Sequence, residues 1–564
     1  MTTCHHLTLA GMLAVATGCV VSGGEQAGTY ADRWVYVVRN LTQDKHVEDI
    51  RQIVTTAKEH GLNGMVLAGN LENLARWEPD QLARLEQVKV LSKESGIELI
   101  PQLWSVGYGG GILSHDKNLA EGLPCRDVPF LAKGREAQLV PDPEVKIRNG
   151  GLEEFQGQKL AGYSLQEKPG EISFVDTAVF RKGKASLRFE NFGSGPHGHG
   201  RLMQEVSVRP WRQYRLSFWV KTEALEPPRA FRVLVHGQTR EIAPISLHVP
   251  STRDWQEVKI CFNSFQYDKV KVYIGVWGGK AGKFWLDDLA LEEMALVNIL
   301  RRSGTPLSVT SEDGKTIYAE GKDFEQVVDD KLNFSHPRPD NVPLKLTGAS
   351  RIQDGQRLKV GYFQGMAIHD GQVTVCMSEP KVYEIWRESA AALKKHLDPR
   401  KFFLSMDEIR AGGSCAACQA RKLSMAEILG DCITRQIQII REASPQAKVY
   451  IWSDMLDPNH NAHGDYYLVQ GDYTGSWKFV PKDLIVCCWY FEKRAASLKF
   501  FSELGFETLS GAYYDGETLD NIRGWLETIN QTPQCRGIMY TTWQNKYRLL
   551  PDFGDAVGKE SRPR

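Results

Sequence analysis

The stretch FFLSMDEIRAGGSCAACQARK, Phe402 to Lys422, brings two kinds of chemistry together. Asp407 and Glu408 close an apolar run. Neighbouring carboxylates at the end of a buried strand can divide acid and base work between them. Cys415 and Cys418 follow as a C-x-x-C pair, a spacing that can ligate a metal or exchange electrons. A structural zinc site normally takes four ligands, and the sequence has no second C-x-x-C. The stretch SDMLDPNHNAHGDYY supplies Asp454, Asp457, His460 and His463, which can meet the cysteines only if the two loops are neighbours. The redox reading wants a thioredoxin-like βαβ setting, which is missing. The cysteines are therefore expected as a local disulfide or a pair of loop thiols, with the metal as the alternative. Asp407 and Glu408 are expected to carry the chemistry, with no cofactor. An isolated Asp-Glu also serves as a helix cap, so its position in the fold decides its role.

The elements around it alternate. RWVYVVRN reads as a strand; Val47, Ile50, Ile53, Val54 and Ala57 then form one helical stripe, closed by Gly61. NGMVLAGN and IELIPQLWSVG are the next strands, with a second helix between them carrying Leu82, Leu85, Val88 and Leu91. The rhythm breaks after Gly111. From about Pro141 to Glu293, short alternating runs such as QYRLSFWVKTE and KVKVYIGVWGG read as an antiparallel sandwich. Alternation resumes with the helix VYEIWRESAAALKKHL and the strands KFFLSMDE, KVYIWSDM, LIVCCWY, FETLSGAYY and GIMYTTWQ. Three strands before the insertion and five after it predict an α/β fold, a (β/α)8 TIM barrel interrupted after strand 3 by a jelly-roll sandwich. An open doubly wound sheet is the alternative, but no glycine-rich dinucleotide turn follows the first strand. The expected division is an export signal over 1–22, a first barrel part over 30–135, the sandwich over 141–295, a connecting segment over 296–350 and a second barrel part over 351–555.

In such a barrel the strand ends form the site. They carry Arg39, Trp104, Asp407 and Glu408, Trp452 and Asp454, Trp489 and Tyr490, Tyr513 with Tyr514 and Asp515, and Trp543. An arginine, several carboxylates and a ring of aromatics suit a sugar, which offers hydroxyls and apolar C–H faces. The expected catalytic pair is Asp407 and Glu408. The expected substrate contacts are Arg39, Trp104, Glu379, Trp452, Asp454, Trp489, Tyr514 and Trp543. No metal site is among the expected site residues.

FLSMDE, Arg39, LIPQLW and the tryptophans on strands five, six and eight resemble the glycoside hydrolase family 20 barrel of the β-N-acetylhexosaminidases. The likeness spans about 270 residues and lacks the His and both Gly of that family's motif; Gln102 stands where a Glu is usual. It implies that Glu408 protonates the leaving oxygen while Asp407 orients the substrate's own acetamide, the substrate-assisted exception to two-carboxylate glycosidases. Without an acetamide, Asp454, Asp515 or Glu379 would have to supply the second carboxylate. The sandwich resembles carbohydrate-binding modules, with Trp211, Trp219, Trp255, Trp277 and Trp285 as core or platform residues.

Bulk properties fit this picture. Lys plus Arg and Asp plus Glu are 69 each in 564 residues, so no net field draws nucleic acid. Leu7 to Val21 is apolar but short for a membrane span, and Ala16-Thr17-Gly18-Cys19 is similar to a bacterial lipobox. The expectation is an exported bacterial glycosidase acting on oligo- or polysaccharide, periplasmic, extracellular or anchored to the outer membrane through a lipid on Cys19. A glycosidase of another sugar and a non-catalytic glycan-binding surface protein remain the alternatives.

Overall fold

The computed structural model describes residues 30–247, 249–369, 371–513 and 515–559. The export segment and Cys19 lie outside them. Among the described residues no helix is long and apolar enough to cross a membrane.

Eight parallel strands close a barrel: Asp32–Val38, Gly64–Ala68, Glu98–Leu103, Lys401–Leu404, Lys448–Trp452, Ile485–Cys488, Thr508–Ala512 and Cys535–Tyr540. Their composition explains them. In the first strand, Trp34 and Tyr36 point into the barrel while Val35 and Val37 pack outward. Tyr450 and Trp452 alternate in the same way with Val449 and Ile451. Both faces are buried, so these strands read as unbroken apolar runs. Helices Asp44–Glu59 and Pro79–Ser95 cover the outside with the stripes expected of them. Gly96, at φ +67°, ends the second in the left-handed conformation that glycine adopts most easily.

The third and fourth strands pair directly, Gln102 to Phe403 and Leu103 to Leu404. The long excursion between them leaves and returns at one point: Ala120 bridges Val375, and Glu121 N–H donates to Thr374 O at 2.8 Å. The excursion holds two five-stranded antiparallel sheets, centred on Ala281–Met294 and Lys269–Val276, packed on one apolar core. It also holds a six-stranded sheet with its own core, built on Leu123–Lys133 and Arg357–Gln364.

This corrects the expected fold class. The α/β (β/α)8 TIM barrel with a jelly-roll inserted after strand 3 is overturned. Helix accounts for only 26%, and the closed parallel barrel sits beside three large antiparallel sheets. The crossover from Lys448–Trp452 to Ile485–Cys488 has only single 3-10 turns and a two-residue strand. That crossover is rich in Asp, Asn, Gly and Pro, which favour turns over helix. The six-stranded sheet takes segments 123–139 and 357–364, whose alternation is that of strands and not of barrel crossovers.

Candidate active site

Because the barrel strands all run one way, their carboxyl-terminal loops gather at one mouth. A cavity of about 430 Å³ opens there. Its walls come from Tyr36 and Val38 on the first strand, Gln102 on the third, and Trp452, Trp489 and Trp543 at the ends of the fifth, sixth and eighth. Tyr36 lies 5.8 Å from Trp452 and 5.0 Å from Trp543, both edge to face. Its hydroxyl donates to Gln102 Oε1 at 2.5 Å. Trp543 is 44% exposed, so it offers surface to a ligand at the rim.

Asp407 and Glu408 both line the cavity. Successive strand residues face opposite ways, but Glu408 has φ +51°, and this left-handed turn aims both carboxylates inward. A non-glycine residue held there is locally strained, a feature that concentrates at functional sites. Gly107, from the loop after the third strand, makes room for the turn. A Cβ on it would lie 2.3 Å from Asp407 O and 2.8 Å from Glu408 O. That loop is anchored by Glu72, which accepts the Trp104 N–H at 3.0 Å.

The two carboxylates have different surroundings. Asp407 accepts from Ser405 Oγ at 2.9 Å. Burial, with Asp454 and Glu408 nearby, pushes its carboxyl up to about 7. Glu408 has both oxygens engaged. Arg410 Nη2 lies 2.9 Å from Oε1, while Arg410 Nη1 at 3.0 Å and the Tyr108 hydroxyl at 2.5 Å donate to Oε2. Burial and the adjacent carboxylates raise the Tyr108 hydroxyl, so it stays protonated as a donor. Arg410 is in turn held by Gln372 Oε1, on the chain returning from the insertion.

Asp454 is fully buried behind the pair. It accepts the Glu408 N–H at 2.8 Å and the Asn461 side-chain amide at 2.9 Å. Burial pushes its own carboxyl up to about 6. It shapes the Glu408 turn and adds negative charge beside Asp407. His460 stacks on Tyr490 and meets Trp489 edge to face, and burial lowers its pKa.

The remaining expected site residues are spread more widely. Arg39 pairs with Asp49 at 3.0 Å and donates to Val38 O and Asn545, beside the cavity and not in its lining. Trp104 is buried, stacked on Trp386, with its indole N–H on Ser389 Oγ. Glu379 pairs with Arg302 at the start of helix Pro380–His396. Tyr514 lies outside the described residues. Asp515 accepts the Trp543 and Gln544 N–H groups and so fixes the last loop. Cys415 and Cys418 are free thiols, and His463 packs on Tyr466. In the sandwich, Arg126 covers the ring of Trp211 at 4.0 Å and Arg181 that of Trp219 at 3.7 Å, while Trp285 is buried.

Tyr108 and Arg410 were not among the expected residues. Arg410 stands two positions after Glu408 in the same motif. Tyr108 sits in the glycine-rich turn VGYGGG, where a half-exposed aromatic has little structural reason to be.

No known protein family matches the chain, and no curated protein does. Among solved structures, a rhamnosidase from Novosphingobium sp. PP1Y is 11% identical, with 91% of this chain covering 55% of that one at a TM-score of 0.31. The carbohydrate-binding module TmCBM61, solved with beta-1,4-galactotriose, is 20% identical over 26% of this chain and 94% of its own, at a TM-score of 0.20. A CBM4 structure is 16% identical over 26% and 99%, also at 0.20. Likenesses this distant establish neither a shared fold nor a shared activity.

Proposed function

We propose that the protein is an exported glycoside hydrolase acting on glycans that contain N-acetylhexosamine, with Asp407 as proton donor. The observation that carries this reading is Asp407 itself: a half-buried carboxyl lining an aromatic-walled cavity, pushed up to about 7. At neutral pH such a group still holds a proton to give. Glu408 has both oxygens committed to Arg410 and Tyr108, which suits an anion better than a donor. The resemblance in sequence implied the opposite division of roles.

In the proposed reaction, Asp407 gives its proton to the leaving glycosidic oxygen as the bond to the anomeric carbon breaks. The 2-acetamido oxygen bonds to that carbon from the other face. Water then opens the cyclic intermediate and returns a proton to Asp407. Glu408 orients the acetamide and balances the positive charge on the ring. The three indoles form an apolar wall against which an acetamido methyl and the sugar's C–H face can pack.

The test is release of the aryl group from a panel of aryl glycosides, with wild type, Asp407→Asn and Glu408→Gln. Release from N-acetylglucosaminide or N-acetylgalactosaminide is expected. It should vanish in Asp407→Asn, and kcat/KM should decline above about pH 7 as Asp407 loses its proton. Release from other sugars only would move the mechanism to Glu408 with a second carboxylate. No release, with glycan binding intact, would make this a glycan-binding protein.

A further inference from the structure

Behind the loop that carries Asp407 and Glu408 lies a second cluster that the proposed hydrolysis does not use. Glu121, Cys376, Cys415 and Cys418 are all buried, and one ligand atom from each lies within 4.8 Å of the other three. Cys376 Sγ is 3.4 Å from Cys415 Sγ and 3.7 Å from Cys418 Sγ. Glu121 Oε2 is 3.7 Å from Cys415 Sγ and 3.5 Å from Cys418 Sγ.

These are four of the six edges of a tetrahedron of metal size, and the other two, Cys415 to Cys418 and Cys376 to Glu121, are no longer than 4.8 Å. With Zn–S about 2.3 Å and Zn–O about 2.0 Å, tetrahedral angles put sulfurs about 3.8 Å apart and sulfur and oxygen about 3.5 Å apart. A disulfide would need about 2.05 Å, far shorter than the 3.4 Å between Cys376 and Cys415.

The carboxylate is aimed at the sulfurs. Glu121 Oε1 accepts the Ser414 N–H at 2.8 Å, the Cys415 N–H at 3.0 Å and the Ser414 hydroxyl at 3.1 Å, which leaves Oε2 turned to the thiols. Without an ion, the three thiols have only weak S–H hydrogen bonds to one another and to Glu121 Oε2. Arg302 lies within electrostatic reach of Cys376, Cys415 and Glu121. It is held there by its pair with Glu379 and by donation to Asn118 O at 2.8 Å and Ala120 O at 3.0 Å.

We propose that Glu121, Cys376, Cys415 and Cys418 bind one zinc ion as a closed, structural site. Binding releases to solvent the protons held by the three thiols and by the Glu121 carboxyl, and forms three Zn–S bonds and one Zn–O bond. The set is then left with a net charge of −2, which Arg302 offsets in part. All four positions are filled by protein, so no place remains for a catalytic water. The ion joins three parts of the chain: Glu121 at the exit to the insertion, Cys376 at the return, and Cys415 and Cys418 on the catalytic loop. The sequence pointed to two of the ligands. The other two stand about 300 and 40 residues away, beyond the reach of a spacing rule.

The experiment is metal analysis of the full chain, expressed with added zinc and dialysed, by plasma mass spectrometry with native thiol titration. One zinc per chain is expected, with three thiols that react only after a strong chelator is added. The melting temperature should fall on chelation and recover with one equivalent of zinc. Cobalt in place of zinc should give a thiolate charge-transfer band. Glu121→Gln, which keeps all three thiols, should lose zinc to a chelator faster than wild type. Wild type carries the decisive measurement, because cysteine variants can fail to fold. Less than about a tenth of an equivalent of metal, iron in place of zinc, or a disulfide among the three cysteines would overturn the assignment.

Discussion

Replacing Asp407 with Asn should remove activity and stabilise the fold. In the unfolded chain Asp407 titrates near 3.8; in the folded protein it titrates near 7. Below pH 3.8 both states are protonated and the residue contributes no pH dependence. Between 3.8 and 7 the unfolded state has lost the proton while the folded state keeps it, so raising the pH favours unfolding. Above 7 the whole penalty is present. At about 1.4 kcal/mol per pH unit, the gap is worth at most about 4 kcal/mol. Part of it arises from Asp454 and Glu408, whose charges the substitution also relieves. Asn keeps an oxygen for the Ser405 hydroxyl and nearly the same volume. Urea denaturation of both proteins from pH 4 to pH 8.5 is the assay. The variant should be more stable by about 2–4 kcal/mol at pH 8, and the advantage should vanish near pH 4. An equal or lower stability at pH 8, or a difference that ignores pH, would refute the claim that Asp407 is a neutral acid held under electrostatic load.

Three further outcomes follow from the same geometry. Trp543→Ala removes the exposed rim wall and should raise KM about tenfold, equivalent to ~1.4 kcal/mol, with kcat less affected, in steady-state kinetics on the best aryl glycoside. Gly107→Ala puts a Cβ 2.3 Å from Asp407 O, so it should displace the Glu408 turn and cut kcat by more than about tenfold, while circular dichroism stays native. Asp32 lies at the opposite end of the barrel, buried among Lys401 at 3.1 Å, Arg536 at 2.7 Å and the Tyr450 hydroxyl at 2.8 Å. Asp32→Ala leaves Lys401 on Glu98 and Arg536 on Glu507 but removes the buried acceptor they share with the Tyr450 hydroxyl, and should cost about 1–3 kcal/mol in a urea melt, with the active-site pH profile unmoved.

The barrel strands were legible because each is an apolar run bounded by turns, the first helix because its apolar residues keep to one face, and the second because Gly96 closes it. The same logic failed where no helix fills a crossover, and where Leu123–Lys133 and Arg357–Gln364 pair with each other across more than two hundred intervening residues. Pairing between distant segments leaves no mark in local periodicity. At the site, Asp407, Glu408, Trp452, Trp489 and Trp543 could be picked out by their place at strand ends. Trp104 could not be told from a rim residue. Its φ of +58° turns it into the core against Trp386, and one-residue spacing carries no such information. Arg39 likewise spends its charge on Asp49.

The insertion also sets the order in which the molecule can assemble. The third barrel strand has no partner on one edge until Lys401–Leu404 has been made. At about 5–20 residues per second, the ~300 intervening residues keep that edge waiting for roughly 15–60 seconds on the ribosome. An open apolar edge is a template for unwanted pairing, and Pro101 withholds one donor from it. The entropic penalty of the delay is small. Loop closure grows with the logarithm of length, so ~300 residues cost only about 2 kcal/mol more than a crossover of ~20. Even that falls once the excursion has folded, because Ala120 and Val375 then lie side by side and the returning chain starts from where it left. The barrel thus closes late in the chain, and a folded insertion eases that closure by holding its two ends together.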